Sequence, residues 1–431
     1  MRATVIGAGL AGVEAALRLS RGGVKVTLVE MKPSKMTPAH KNPDFAELVC
    51  SNSLKAERIS SAGGLLKAEM QLFDSVCVET AYKTRVPAGG ALAVDRGEFA
   101  RLITQRLMQD ENVEILNEEA DEIPDGVTVI AAGPLMSDPL ARAVQEFAGE
   151  GYLGFFDAAA PIVTAESVDP GLSFAASRYD RGGEDDYINC PMNKEEYEAF
   201  YEALVSAESA ELHGFDRPNV YEGCMPVEIM AKRGPDTLRF GPLKPVGLRD
   251  PRTGHRPWAV VQLRKENTAG SMYNLVGFQT NLKFPEQKRV FSMIPALHSA
   301  DFMRYGVMHR NTFLCAPRVI DRHFEAKKRE GLFFAGQLTG VEGYMESAAS
   351  GIIAGENALR RLKGEPLLEL PVTTMMGALS VYMEQGDPEN FQPMGANFGM
   401  LPPSETFVKD KKERYELLAQ RALKDMKEAL L

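Results

Sequence analysis

No run of apolar residues in this 431-residue chain approaches the ~20 needed for a helix to cross a bilayer, so no membrane span is expected. The stretch from Met1 to Leu19 has a basic Arg2 and many apolar residues. Glu14 interrupts it, however, and its glycines have another use, so no export signal is read and a cytoplasmic protein is expected. Cysteine is sparse. Cys50, Cys77, Cys190, Cys224 and Cys315 are separated by 27, 113, 34 and 91 positions, which leaves no Cys-x-x-Cys pair, no zinc-ligand spacing and no metal site. An odd number of thiols without a framework points to a reducing compartment and leaves single cysteines for chemistry. Positive charge is also in deficit. The net charge of −10 disfavours a nucleic-acid partner as a whole. Yet residues 232–330 hold 19 Lys and Arg against 8 Asp and Glu, a net of +11 that leaves −21 for everything else, and four of the six histidines. Such a segment either holds a polyanion locally or forms a solvated charged surface. The chain also lacks internal repeats, low-complexity tracts and a second G-x-G-x-x-G.

With 44% hydrophobic and 25% charged residues, the composition is globular, and the length suits two or three domains. Residues 3–6 form a β-prone run that leads into Gly7-Ala8-Gly9-Leu10-Ala11-Gly12. A helical pattern follows, and then a second strand from Val24 to Val29 that ends at Glu30. This is the dinucleotide-binding βαβ arrangement. Gly7 serves the tight turn, Gly9 admits the pyrophosphate, Gly12 lets helix and strand pack, and Glu30 accepts ribose hydroxyls. The helix N-terminus offers free N–H groups to the phosphates. By itself the motif serves FAD, NAD or S-adenosylmethionine equally.

Later segments choose among these. Thr128–Gly133 reads as a strand running into a glycine turn. Gly331–Gln337 reads as a buried strand broken at Gly336, followed by small residues up to Gly351 and a helix to about Leu362. This resembles FAD proteins of the glutathione-reductase type, in which a late strand–glycine–helix closes the flavin site with its helix dipole toward the reducible ring. The expected fold is α/β: a Rossmann-like FAD-binding domain from residues 1–150 and 310–431, with an inserted α+β domain at 151–309. Inside the insert, 258–264 and 274–280 read as strands. Residues 402–431 read as Pro-Pro-Ser followed by an amphipathic helix carrying Phe407, Tyr415, Leu418, Leu423 and Met426 that packs on the body.

Several further blocks are distinctive: Glu47-Leu-Val-Cys-Ser-Asn-Ser-Leu54, Arg85–Arg96, Gly223-Cys-Met-Pro-Val-Glu228, Val261-Gln-Leu-Arg264, Tyr273–Lys283 and His309-Arg-Asn-Thr-Phe313. Together with the glycine motifs they resemble the TrmFO family of folate- and FAD-dependent tRNA (uracil-5-)-methyltransferases, over essentially the whole chain. The related GidA flavoproteins share the FAD motifs but carry a long extra C-terminal region that this sequence lacks. The resemblance implies methylation at C5 of the T-loop uridine, position 54 of tRNA, with carbon from 5,10-methylenetetrahydrofolate. Electrons would come from NAD(P)H through FAD. It implies attack of the Cys224 thiolate on uracil C6. Cys50 would sit beside the flavin, either assisting proton removal from C5 or guarding a covalent intermediate. His309, Arg310 and Asn311 match the family's pterin pocket. Arg252, Arg256, Lys283, Lys288 and Arg289 are candidate phosphate contacts for the T-arm, as are Lys55, Arg58, Arg85 and Arg96. No obligatory protein partner is expected. Three rivals remain open at this level: a flavin oxidoreductase acting on a small molecule, a GidA-like modifier of wobble uridine, and a non-catalytic tRNA-binding flavoprotein.

Overall fold

A computed structural model of the chain describes all residues except 38, 150, 151, 159, 181, 182, 184, 185, 211–224, 268, 307, 390, 405–407 and 431; for 152–158, 180 and 308–312 it describes the backbone alone. Five parallel strands form the first sheet, in the order Leu332–Phe334, Thr128–Ile130, Arg2–Ile6, Lys25–Val29 and Val113–Leu116. The inner strands are apolar on both faces, as a sheet covered on both sides requires: Val5, Val129 and Phe333 lie in register and are fully buried.

Two helices cross beside this sheet, Leu10–Arg21 and Tyr344–Lys363, and small residues set their distance. A Cβ placed on Gly351 would lie 2.1 Å from the Ala11 carbonyl oxygen, and one on Gly355 would lie 2.8 Å from the Ala15 Cα. The backbones therefore touch, and the starts of both helices arrive at the same edge of the sheet.

The second sheet has six strands, in the order Phe174–Ala175, Tyr187–Met192, Ala259–Lys265, Met272–Leu275, Ile162–Thr164 and Phe302–Arg304, all paired antiparallel. It has a core of its own, built on Val261, Leu263, Phe278 and Phe291. Helix Lys194–Ser206, closed by an Asn193–Glu196 capping box, packs there through Tyr197, Phe200 and Leu204. Strands Tyr152–Ala158 and Met308–Leu314 pair antiparallel and carry the chain out of the first unit and back. A small sheet of Ser53–Ala56, Ala91–Val94 and Arg85–Val86 completes the architecture.

Two expectations need adjustment. The strand read at 274–280 runs instead from Met272 to Leu275. The chain turns at Gly277, whose φ of +78° excludes continued strand geometry, and a Cβ there would meet Pro242 at 2.6 Å. The terminal helix is Lys411–Ala429, buried through Leu418 and Met426, while Phe407 lies outside the described residues.

The helix crossing yields a test. Gly351→Ala puts a methyl group against a backbone oxygen that has no room to yield. We expect a stability loss of about 3 kcal/mol and protein that purifies with less flavin, read by thermal melting with and without added FAD.

Candidate active site

The first strand ends at Gly7, whose φ is +96° and whose missing side chain admits the backbone of Ala131 and Ala132. A Cβ on Gly12 would strike the Gly7 carbonyl oxygen at 1.8 Å, so Gly12 is a packing glycine under the turn. Gly9 faces open space. As N-cap of helix Leu10–Arg21, Gly9 makes no side-chain cap, which leaves the first helical N–H groups available to an anion. Glu30 ends the second strand. Its two carboxylate oxygens accept from the N–H of Ala8 (2.7 Å) and of Lys32 (2.9 Å), and each keeps a lone pair for a ribose hydroxyl.

These groups line a cleft of about 1130 Å³ that also takes in Gly133, Gly336, Gln337, Cys50 and Tyr344. Gly336, at φ +80°, donates its N–H to Ser350 Oγ, and Gln337 donates to Glu342. Of the cofactor residues expected from sequence, Gly7, Ala8, Gly9, Leu10, Ala11, Glu30, Gly133, Gly336 and Gln337 share this cleft. Gly351 is instead placed at the helix crossing, against Ala11. A bare glycine turn, an uncapped helix start, a carboxylate one strand away and a second helix start opposite together fit FAD.

The cleft wall carries chemistry that the glycine motifs do not announce. Tyr344 opens the closing helix, and its phenol oxygen accepts from the N–H of Cys50 (2.8 Å) and of Ser51 (3.1 Å). Both lone pairs are then occupied, so the O–H points at Cys50 Sγ, 2.9 Å away, and the sulfur accepts. Burial, and then the neighbouring Cys50 sulfur, push the Tyr344 phenol well above its usual range, so its proton stays on oxygen.

Arginines surround the same loop. Arg96 donates to the Leu48 carbonyl (2.8 Å) and pairs with Glu266 at 2.7 Å. Arg304 donates to the Val49 carbonyl at 2.6 Å. Arg264 donates to Asn52 Oδ1 and Ser51 Oγ, both at 2.8 Å. Burial opposes the charge on all three. For Arg96 the Glu266 carboxylate more than offsets it and the pKa rises, while Arg264 and Arg304 are lowered. Sequence reading missed Tyr344 and Arg304. The one available signal was an aromatic residue directly after Gly343 at the start of the closing helix.

The remaining expected residues fall elsewhere. Cys224 lies outside the described residues. His309, Arg310 and Asn311 sit on strand Met308–Leu314, opposite Asp157, Phe156 and Phe155, with only their backbone described. Arg252 pairs with Asp250, Lys283 with Glu208, and Arg289 with Glu286. Arg256 and Lys288 are exposed, without a carboxylate partner among the described residues. Of the other basic candidates, Lys55 pairs with the buried Glu346, Arg85 pairs with Glu57, and Arg96 is directed inward. Cys77 and Cys190 are buried in the two cores.

The parallel sheet, the paired helices and the cleft define a dinucleotide-binding flavoprotein of Rossmann type with an inserted antiparallel sheet. Two structures of Aquifex aeolicus GidA have this fold, with TM-scores of 0.73 and 0.71; at 16% and 17% identity they cover 100% of this chain and 74% and 76% of theirs. Residues 2–366 match the family described as glucose inhibited division protein A. Among curated proteins, the methylenetetrahydrofolate–tRNA-(uracil-5-)-methyltransferase TrmFO of Acetivibrio thermocellus is 57% identical, over 98% of this chain and 97% of its own. That of Lactobacillus gasseri is 56% identical with the same coverage. The chain belongs to the TrmFO family, within the wider GidA group.

The Tyr344–Cys50 contact makes a prediction. In Tyr344→Phe the sulfur loses its donor, and alkylation of Cys50 by iodoacetamide near neutral pH slows by about ten-fold. Peptide mass spectrometry follows the rate; an unchanged rate would show that the phenol leaves the thiolate unaided.

Proposed function

We propose that this protein methylates C5 of the T-loop uridine at position 54 of tRNA, taking the carbon from 5,10-methylenetetrahydrofolate. Near-full-length identity of 57% to a TrmFO supports the reaction class. The observation that carries the reading is a cysteine, Cys50, in the wall of the dinucleotide cleft with its sulfur accepting from a buried phenol. When bound, FAD supplies electrons drawn from NAD(P)H, which a formaldehyde-level carbon needs to become a methyl group. Gly7, Ala8, Gly9, Leu10, Ala11, Glu30, Gly133, Gly336 and Gln337 would hold it, with Gly12 packing beneath the turn.

Uracil C5 is a weak nucleophile. The Cys224 thiolate forms a bond to C6 and pushes the electron pair of the C5–C6 bond into an enolate, so that C5 takes the one-carbon unit. Loss of the C5 proton and departure of tetrahydrofolate leave an exocyclic methylene on C5; two electrons and a proton turn it into the methyl group as the thiolate is expelled and the ring is restored. Cys50, 2.9 Å from the Tyr344 phenol oxygen in the cleft wall, takes the C5 proton in this reading. His309 stacks on the pterin, and Arg310 pairs with the glutamate tail of the folate. In this reading residues 1–150 and 310–431 form the FAD-binding domain, and 151–309 form an insert that contributes to tRNA and folate binding. Arg252, Arg256, Lys283, Lys288 and Arg289 serve as phosphate contacts. The target base leaves its stack to reach the cleft.

The test uses the purified protein with FAD, NADPH, methylene-labelled tetrahydrofolate and a T-loop transcript. Label should appear in 5-methyluridine, and Cys224→Ala should reduce it to background. Label drawn from S-adenosylmethionine instead, or found at a wobble uridine, would overturn the reading.

A further inference from the structure

A column of aromatic rings runs from the core of the inserted sheet to the surface. Phe278 and Phe291 are fully buried and meet edge to face at 5.3 Å. Phe291 leads to Phe302, and from there the rings lie nearly parallel. Phe302 and Tyr305 are 5.3 Å apart at 12°, and Tyr305 and Phe284 are 4.9 Å apart at 15°. Phe284 is the outermost ring and is 51% exposed.

The outer rings are rigidly set. Phe284 begins helix Phe284–Phe291, and Tyr305 follows strand Phe302–Arg304. The wholly buried Gln287 ties the two segments together, accepting from the Gly306 N–H and donating to the Gly306 carbonyl, both at 2.8 Å, and donating to the Leu282 carbonyl at 2.7 Å. A phenylalanine half in water is a poor use of such bracing unless its free face meets something flat.

The surroundings say what. Lys283 precedes Phe284 as the N-cap of its helix, Lys288 follows it one turn later, and Arg289 comes next. Glu208 answers Lys283 and Glu286 answers Arg289, while Lys288 has no carboxylate partner among the described residues. Tyr305 is also the chain neighbour of Arg304, whose guanidinium lines the flavin cleft and holds the Val49 carbonyl beside Cys50. The middle ring of the column is thus one residue away from a side chain that lines the cleft which receives the extruded uridine in the reading above, on which this inference rests.

We propose that the Phe284–Tyr305–Phe302 column is a stacking platform for an unpaired nucleobase of the RNA, a neighbour of the target uridine. Phe284 takes the base on its open face and Lys288 takes the adjoining phosphate. Every base has a π-face, so the platform fits an opened loop of any sequence.

The experiment measures binding of the flavin-loaded full chain to a tRNA transcript across a salt series. Phe284→Ala and Phe284→Leu should both weaken binding by about ten-fold, because Leu keeps the bulk and loses the ring, while Phe284→Trp stays within about two-fold of the parent. Lys288→Gln should reduce the slope of log K against log salt by about one, which none of the Phe284 variants does. Melting temperature controls for folding. Parent-like binding by Phe284→Ala or by Phe284→Leu overturns the platform while the methyltransferase reading stands. A parent protein that binds no tRNA overturns both. A change in the mass of the particle in Phe284→Ala, with tRNA affinity intact, marks a protein interface and also overturns it.

Discussion

Three guanidinium groups converge on the five residues from Leu48 to Asn52. A buried arginine costs several kcal/mol of lost hydration, and here the cost is offset by carbonyl, amide and hydroxyl oxygens of the loop, with Glu266 supplying the countercharge. Arg96 comes from the flavin-binding part, while Arg264 and Arg304 come from strands of the inserted sheet. The loop is therefore both the cysteine-bearing wall of the cleft and the fastening between two separate cores. Asn52 completes it, donating to the Val94 and Lys265 carbonyls from a position without solvent exposure. The loop that carries Cys50 is held by this arrangement together with the cysteine's own contacts to Tyr344.

The nucleotide half was legible in the sequence because its physics is local. Gly7, Gly12 and Gly336 mark places where a side chain would collide or where φ is positive, and each collision is with a near neighbour in a βαβ unit or its parallel companion. Glu30 could be found because the motif fixes its distance from the turn. Gly351 was read as a cofactor contact because small residues before a helix suit both a ligand and a second helix; only the fold separates the two uses. Tyr344 and the arginines were illegible for the opposite reason. Their partners lie 294, 48, 255 and 212 positions away, and nothing in the local pattern of Arg264 or Arg304 announces an inward-pointing charge.

The basic stretch from 232 to 330 shows how a charge tally misleads. Read as a block it looks like an open polyanion surface. In the fold, Arg264 and Arg304 are interior fastenings, and Arg239, Arg252, Arg289 and Arg322 are each matched by a carboxylate. Exposed pairs of this kind add little stability, but they leave the sign of the local surface to a few unanswered cations such as Arg256 and Lys288.

The placement of Arg264 and Arg304 has a mechanical corollary. A hinge that swung the inserted sheet away from the nucleotide fold would pull Arg264 and Arg304 off the loop oxygens that they hold. Jaw-like opening is thus penalised at its first few degrees. The division of labour that follows is unusual for an enzyme with a deep pocket: the polypeptide acts as a stiff anvil, and the pliancy needed to bring reactants together must reside in whatever is laid upon it.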